Sequence, residues 1–256
     1  GEGIGYFGLA MTFAIALAPY GGDQIMGKNN FFNLFTVSAV VALASLILVF
    51  FVKIPKIKTG KTKIELSKMF DKRVNRIAIV MFTGAFPFAA IISFIRIYSD
   101  ELQIQQGALF FIFMAIGVAV VRVAVGKIMD KRGPSTLVTI GLLVTVVGLI
   151  WLRYVDSFWP LMGVGVLVGF GNGIIMPTVQ TMALNIVPVE SRGAANATFF
   201  SAVDLGIGAG SIALGYVAEY YGISMMFFIC GLILLFPLAF YFVFVRKHYQ
   251  KHLAIQ

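Results

Sequence analysis

Charge is what this sequence has least of. Only 12% of its 256 residues are Asp, Glu, Lys or Arg, whereas 59% are hydrophobic, and the mean hydropathy is +0.93. Soluble domains carry about 25% charged residues, and a soluble fold of this length could not hide so much apolar surface. Cysteine is nearly missing. Cys230 is the single one, so an internal disulfide is excluded, and a lone thiol inside an apolar run lends no support to metal or redox chemistry. Histidine is scarce too. His248 and His252 both fall in the C-terminal tail, which excludes a histidine-built catalytic or metal centre within the apolar body. No phosphate-cradling glycine pattern is present. The net charge of +9 therefore has to be read from where it lies, and it lies between apolar runs. No nucleic acid and no cofactor is expected.

What is abundant is apolar sequence in repeated runs of about 20 residues, the length needed to cross roughly 30 Å of hydrocarbon. Eight are expected, near 4–22, 31–52, 77–98, 107–126, 135–154, 159–181, 194–217 and 223–245. Closed barrels are the other way to span a bilayer, but their strands alternate apolar and polar residues. These runs are continuous, so the expected fold class is an all-α integral membrane helix bundle. Glycine (27) and phenylalanine (25) are frequent, and glycine lets membrane helices approach closely.

The basic residues set the expected orientation. Nine Lys and Arg fall between Lys53 and Arg76, Lys127, Lys131 and Arg132 in a second connection, Arg192 in a third, and Arg246, Lys247 and Lys251 after the last run. The opposite side holds Lys28, Arg96 and Arg153. The positive-inside rule places the richer side, with the C-terminus, in the cytoplasm. Segment 53–76 is the only long connection. It reads as a cytoplasmic linker whose lysines meet anionic headgroups, and it leaves two runs before it and six after.

Two charges fall well inside expected spans. Asp204 is near the middle of the seventh, and Arg122 is in the cytoplasmic third of the fourth. An intramembrane ionisable residue is costly and marks a functional candidate. Asp204 reads as a proton carrier or substrate contact, or else as a carboxyl group hydrogen-bonded within the bundle. Arg122 could gate, or simply snorkel to the nearby surface. Asn172 and Gln180 in the sixth run could face a cavity or bond across helices. Phe94, Phe110, Phe111, Phe199 and Phe200 could line a hydrophobic pocket or pack. Gly165, Gly169 and Gly173 recur every four residues, with Pro177 next in register. Close helix packing accounts for them; sliding or kinking is the functional alternative.

Three stretches carry a resemblance to a known family. Gly126-Lys-Ile-Met-Asp130-Lys-Arg132-Gly133 is similar to the cytoplasmic Gly-x-x-x-Asp-Arg-x-Gly loop of the major facilitator superfamily, in the copy joining its eighth and ninth helices. The order Asp-Lys-Arg is a mild departure. Ala14-Ile-Ala-Leu-Ala18-Pro19-Tyr-Gly-Gly22 resembles the Gly-Pro-x-x-Gly antiporter motif of the fifth helix, with Ala18 in place of its glycine and Asp23 where another glycine is common. Val187-Pro188-Val-Glu190-Ser-Arg192-Gly193, leading into Asp204-Leu-Gly206-Ile-Gly208, is similar to the approach to the eleventh helix of bacterial drug and metabolite exporters.

The resemblance covers the whole chain, as helices five to twelve of twelve. It implies residues 1–52 as the last two helices of an N-terminal half, 53–76 as the linker, 77–246 as a six-helix C-terminal half and 247–256 as a tail. Four helices are then expected ahead of the chain. It further implies alternating access about a central site, with export of small hydrophobic or amphipathic molecules driven by protons, in a bacterial plasma membrane, by a protein monomeric at full length. Asp204, Arg122, Asn172, Gln180, Phe94 and Phe200 are the candidate proton-coupling or substrate residues. Gly126, Asp130, Arg132 and Gly133 are the candidate gating loop, and Ala18, Pro19 and Gly22 the antiporter-like motif. Departures from that motif leave proton-coupled import of a sugar or organic acid open. A membrane enzyme would need clustered acids, histidines or a metal site, and a channel a filter-like segment; neither pattern is visible. A non-transporting membrane component is the remaining class.

Overall fold

The structure, a computed structural model, describes residues 14, 17–27, 31–52 and 70–253. Among these, every regular element is helical, and they fall into two compact units, Gly1–Glu65 and Leu66–Gln256. In the first unit, residues 17–26 are helical and α1 runs Phe31–Val49. A Cβ on Gly22 would sit 3.4 Å from Leu34 Cδ1, so the two helices touch. No residue of α1 is buried. A helix apolar all round and uncovered belongs in lipid or against other membrane helices.

The second unit contains α2 (Asn75–Glu101), α3 (Leu109–Leu152), α4 (Phe158–Asn185), α5 (Arg192–Tyr221), α6 (Ile223–Ile233), α7 (Leu235–Phe240), a π turn (Tyr241–Val245) and α8 (Arg246–Leu253). The last four are segments of one nearly continuous path. Among the described residues, six helical stretches are long and apolar enough to cross a membrane: Phe31–Val49, Lys72–Glu101, Gly133–Leu152, Phe158–Asn185, Val189–Tyr221 and Ile223–Lys251. The fourth expected run is helical too, but its apolar part is shorter, Leu109–Arg122. The first expected run falls mostly outside the described residues, as does most of segment 53–76.

The connection expected after residue 126 is no loop. Helix continues through the charged stretch, and the chain reverses at a single break. Gly133 takes φ +72° and ψ 170°, a conformation that favours glycine, and Pro134 starts the second arm of α3 with its ring already at a helical φ.

Glycine builds the contact between α3 and α4. A Cβ on Gly169 would overlap the Met114 carbonyl, and one on Gly117 would overlap the Val166 carbonyl. Backbones therefore meet directly, as small residues permit in membrane bundles. Helices α2 and α5 meet the same way, with Gly206 against the Phe82 carbonyl. The core between these pairs holds Ile91, Ile95, Phe110, Leu149, Leu161, Phe199 and Phe227. Tyr98 sits inside it and donates its hydroxyl to the Leu152 carbonyl at 2.7 Å.

Candidate functional site

Asp204 is the thirteenth residue of the 30-residue helix α5, far from either end. Its side chain is exposed in this chain, and among the described residues no base pairs with it. Among the described residues no hydrogen bond to this carboxyl group is formed. The inward face of α5 is occupied by Ala195, Phe199, Val203, Gly206, Gly210 and Leu214, which leaves position 204 on the other side of the helix. Phe200, Asp204 and Gly208 follow at four-residue spacing and share that outer face. Phe200 is partly buried, packs on the core and meets Phe199 edge-on at 5.3 Å between centroids.

The other candidates are scattered. Phe94 lies on α2 and points at Gly215, whose Cβ would be 3.7 Å from it. Gly215 is eleven residues beyond Asp204, about 16 Å along the axis, so Phe94 and Asp204 do not line one small pocket. Arg122 is partly buried on the first arm of α3, and no described carboxylate pairs with it. Of the gating-loop candidates, Gly133 forms the break in α3, while the surroundings of Gly126 and the side chains of Asp130 and Arg132 lie outside what the structure describes. Ala18 is exposed, and Pro19 and Gly22 are partly buried, in the first unit.

Gln180 and Asn172 part ways. Gln180 Nε2 donates to Asn196 Oδ1 at 2.9 Å, joining α4 to α5. Asn172 keeps its Nδ2 buried without a hydrogen-bond partner, a condition that Thr178 Oγ1 shares among the described residues. Its neighbours fix its direction. Gly171 packs on Thr145 and Gly173 on Val118 and Val121, while Ile174 fills the wedge between the arms of α3. Asn172 therefore points away from α3. An orphaned buried amide is costly, and a polar ligand that accepts a hydrogen bond is the kind of group that would satisfy it.

Two polar features escaped sequence reasoning. Ser93 and Ser211 place their hydroxyls 3.3 Å apart between α2 and α5. Serines give no signal of this in isolation, because the pairing is made by helices 118 residues apart in sequence. At the other end, Asp71 accepts from the Arg73 backbone N–H and guanidinium, and its own N–H donates to Thr198 Oγ1 at 2.9 Å. The Arg73 guanidinium holds the Asp71 carboxyl below its ordinary range. Asp71 with Arg73 two residues on does read as a helix-start motif, but its tie to Thr198 is tertiary.

The Major Facilitator Superfamily profile matches residues 1–155 and 105–255. The chain is 22% identical to a staphylopine export protein of Staphylococcus aureus, over 91% of this chain and 63% of that protein. It is 25% identical to a multi-drug resistance efflux pump PmrA homolog of Lactococcus lactis, over 98% of this chain and 65% of that one. A multidrug resistance protein MdtG of Proteus mirabilis is 26% identical over 59% of this chain. The chain thus spans less than two thirds of the length of the first two. Membrane-length helices, glycine-packed pairs and this match agree: the chain is a multi-pass membrane protein of the major facilitator superfamily.

Proposed function

We propose that the complete protein is a secondary active transporter that exports small hydrophobic or amphipathic molecules in exchange for protons. The observation that carries this reading is Asp204, a carboxyl group at mid-helix, exposed on α5 and with no basic partner among the described residues. A carboxylate facing lipid at that depth costs several kcal/mol. The face around it is therefore covered by other helices or lines a wet cavity, where it can take a proton or meet a substrate. Names of the relatives, an exporter and two multidrug pumps, support export.

In this reading residues 1–52 belong to one half and 77–246 to the other, joined by linker 53–76, and residues 247–256 form a tail. The two halves rock about a shared central site. Asn172 offers its unsatisfied amide to the substrate, and Phe200 flanks Asp204. Gly126, Asp130, Arg132 and Gly133 form the cytoplasmic gate with Arg122 beside it. The protein sits as a monomer in a bacterial plasma membrane with its C-terminus in the cytoplasm.

The test is transport by the complete protein in vesicles, with a labelled panel, with and without a proton gradient. Gradient-driven export of apolar cations or neutral amphipaths supports the reading. Gradient-driven uptake of a sugar or organic acid would replace it with the importer alternative, which the Ala18 and Asp23 departures favour.

A further inference from the structure

The seam between α2 and α5 holds two hydroxyls that do not settle as helix hydroxyls usually do. Thr83, Thr139, Thr145, Thr181 and Thr198 each donate to the carbonyl four residues back, which satisfies a hydroxyl within its own helix. Ser93 and Ser211 meet each other at 3.3 Å instead. One donates and the other accepts, so one O–H is used in the contact. The second O–H has no protein acceptor among the described residues. Ser93 is exposed and Ser211 half-buried, so the pair opens onto the surface of the seam.

Polar groups and open space continue from this pair in both directions. Asp204, Gly208 and Ser211 share one face of α5. Seven residues of helix put about 10 Å between the first and the last. A Cβ on Gly208 would meet nothing within 4 Å, so the face between them has room for a file of about three waters at hydrogen-bond spacing. Beyond Ser211 that face is covered, because Phe94 reaches Gly215. On α2 the line goes on. Ser93, Arg96 and Asp100 follow at three and four residues and share one face, close to the helix end at Glu101. Arg96 and Asp100 form an ion pair at 3.3 Å. With Gln103, Gln105 and Gln106 they line a cavity of about 330 Å³ at that end. The helices that pack most on α5 are α2, α6 and α4, and they offer no rival for a proton at this depth. Residues 77–95 of α2 and the whole of α4 carry no ionisable side chain, and α6 only the buried Cys230.

We propose that Ser93 and Ser211 hold a file of water that carries protons to Asp204 from the end of α2 marked by Arg96 and Asp100, the end away from the basic linker. This rests on the reading of Asp204 as the proton carrier. A proton that enters the file from bulk water is passed along its hydrogen bonds. Each hydroxyl accepts a proton on the Arg96 side and releases its own toward Asp204. The carboxylate gains one proton and the outer solvent loses one, so the step balances without any further reactant. The unspent O–H of the serine pair supplies the link between the two helices that a water file needs to cross from α2 to α5.

The experiment uses the complete protein and has two arms. In the first, Gly208→Cys is exposed in cells to a membrane-impermeant cationic methanethiosulfonate. The new side chain meets open space, and the native Cys230 is buried, so labelling reports position 208 alone. Labelling from outside is expected; an unlabelled thiol means a dry groove and overturns the path while leaving the role of Asp204 standing. In the second arm, export of ethidium is followed in proteoliposomes. Joint Ser93→Ala and Ser211→Ala takes a hydrogen-bond partner from each end of the crossing and should slow proton-driven export about tenfold. Ethidium exchange without a gradient should stay at the parent rate, which a merely structural loss would not spare. Ser93→Thr keeps both hydroxyls and should export at the parent rate. A labelled groove with full proton-driven export in the double variant would be a wet cavity in which the serines play no part, and overturns the proposal. Full export by Asp204→Asn would remove the carrier itself, and the path with it.

Discussion

Gln180 and Asn196 join α4 to α5 through one hydrogen bond of 2.9 Å. Both residues are partly buried, and the bond is made at the end of the bundle where α4 finishes and α5 begins. Interhelical bonds of this type are worth about 0.6 kcal/mol on average. Gln180→Ala and Asn196→Ala should each destabilise the protein by about that amount, and a double-mutant cycle should return a coupling of similar size. Additive losses would show that the two amides do not interact.

Glycine positions should divide into tolerant and intolerant ones. Gly169→Ala drives a methyl into the Met114 carbonyl, whereas Gly208→Ala meets open space. Overpacking costs about 1–3 kcal/mol. Thermal unfolding in detergent should show a clear loss for Gly169→Ala and little change for Gly208→Ala.

Asp204→Asn should leave the unfolding temperature near that of the parent, because the carboxylate has no partner in the described structure to lose. The same substitution should reduce proton-driven transport by the complete protein to background. Full retention of gradient-driven transport would remove Asp204 from the coupling role.

Asp71 supplies a pH dependence. Its carboxyl group is held below the ordinary value of 3.8 by hydrogen bonds from Arg73. A carboxyl group lowered in the folded state stabilises the protein above the unfolded value, and that contribution is lost as pH falls through the folded value. It is thus fully present at neutral pH. Asp71→Asn should lower the unfolding temperature at pH 7, and the gap between variant and parent should narrow as pH drops below about 4. A gap constant with pH would show that the ion pair contributes nothing.

The spans were legible from residue types alone, because length and apolarity suffice to define a membrane helix. Segments such as 159–181 and 194–217 lie inside helices Phe158–Asn185 and Arg192–Tyr221. The extension of helix through Asp130 to Arg132 was less legible, since charge marks a membrane surface without ending a helix. Gly133-Pro134 was readable as the turn because both residues favour it. Asp204 stood out through its charge, but its outward direction depends on which face of α5 is claimed by Phe199 and Gly206. Gln180 looked like a cavity residue as readily as a packing one. Its partner Asn196 is supplied by another helix, and no local pattern announces it.

Carbonyl-to-glycine contact at Met114 and Gly169, and again at Val166 and Gly117, has a mechanical consequence. Where side chains separate two helices, rotamer exchange can absorb a shear. At these two crossings no rotamer lies between the backbones, so the first arm of α3 and the facing part of α4 resist sliding there more than side-chain contacts would. Compliance is left to Pro177, which removes a backbone hydrogen bond within α4, and to the reversal at Gly133.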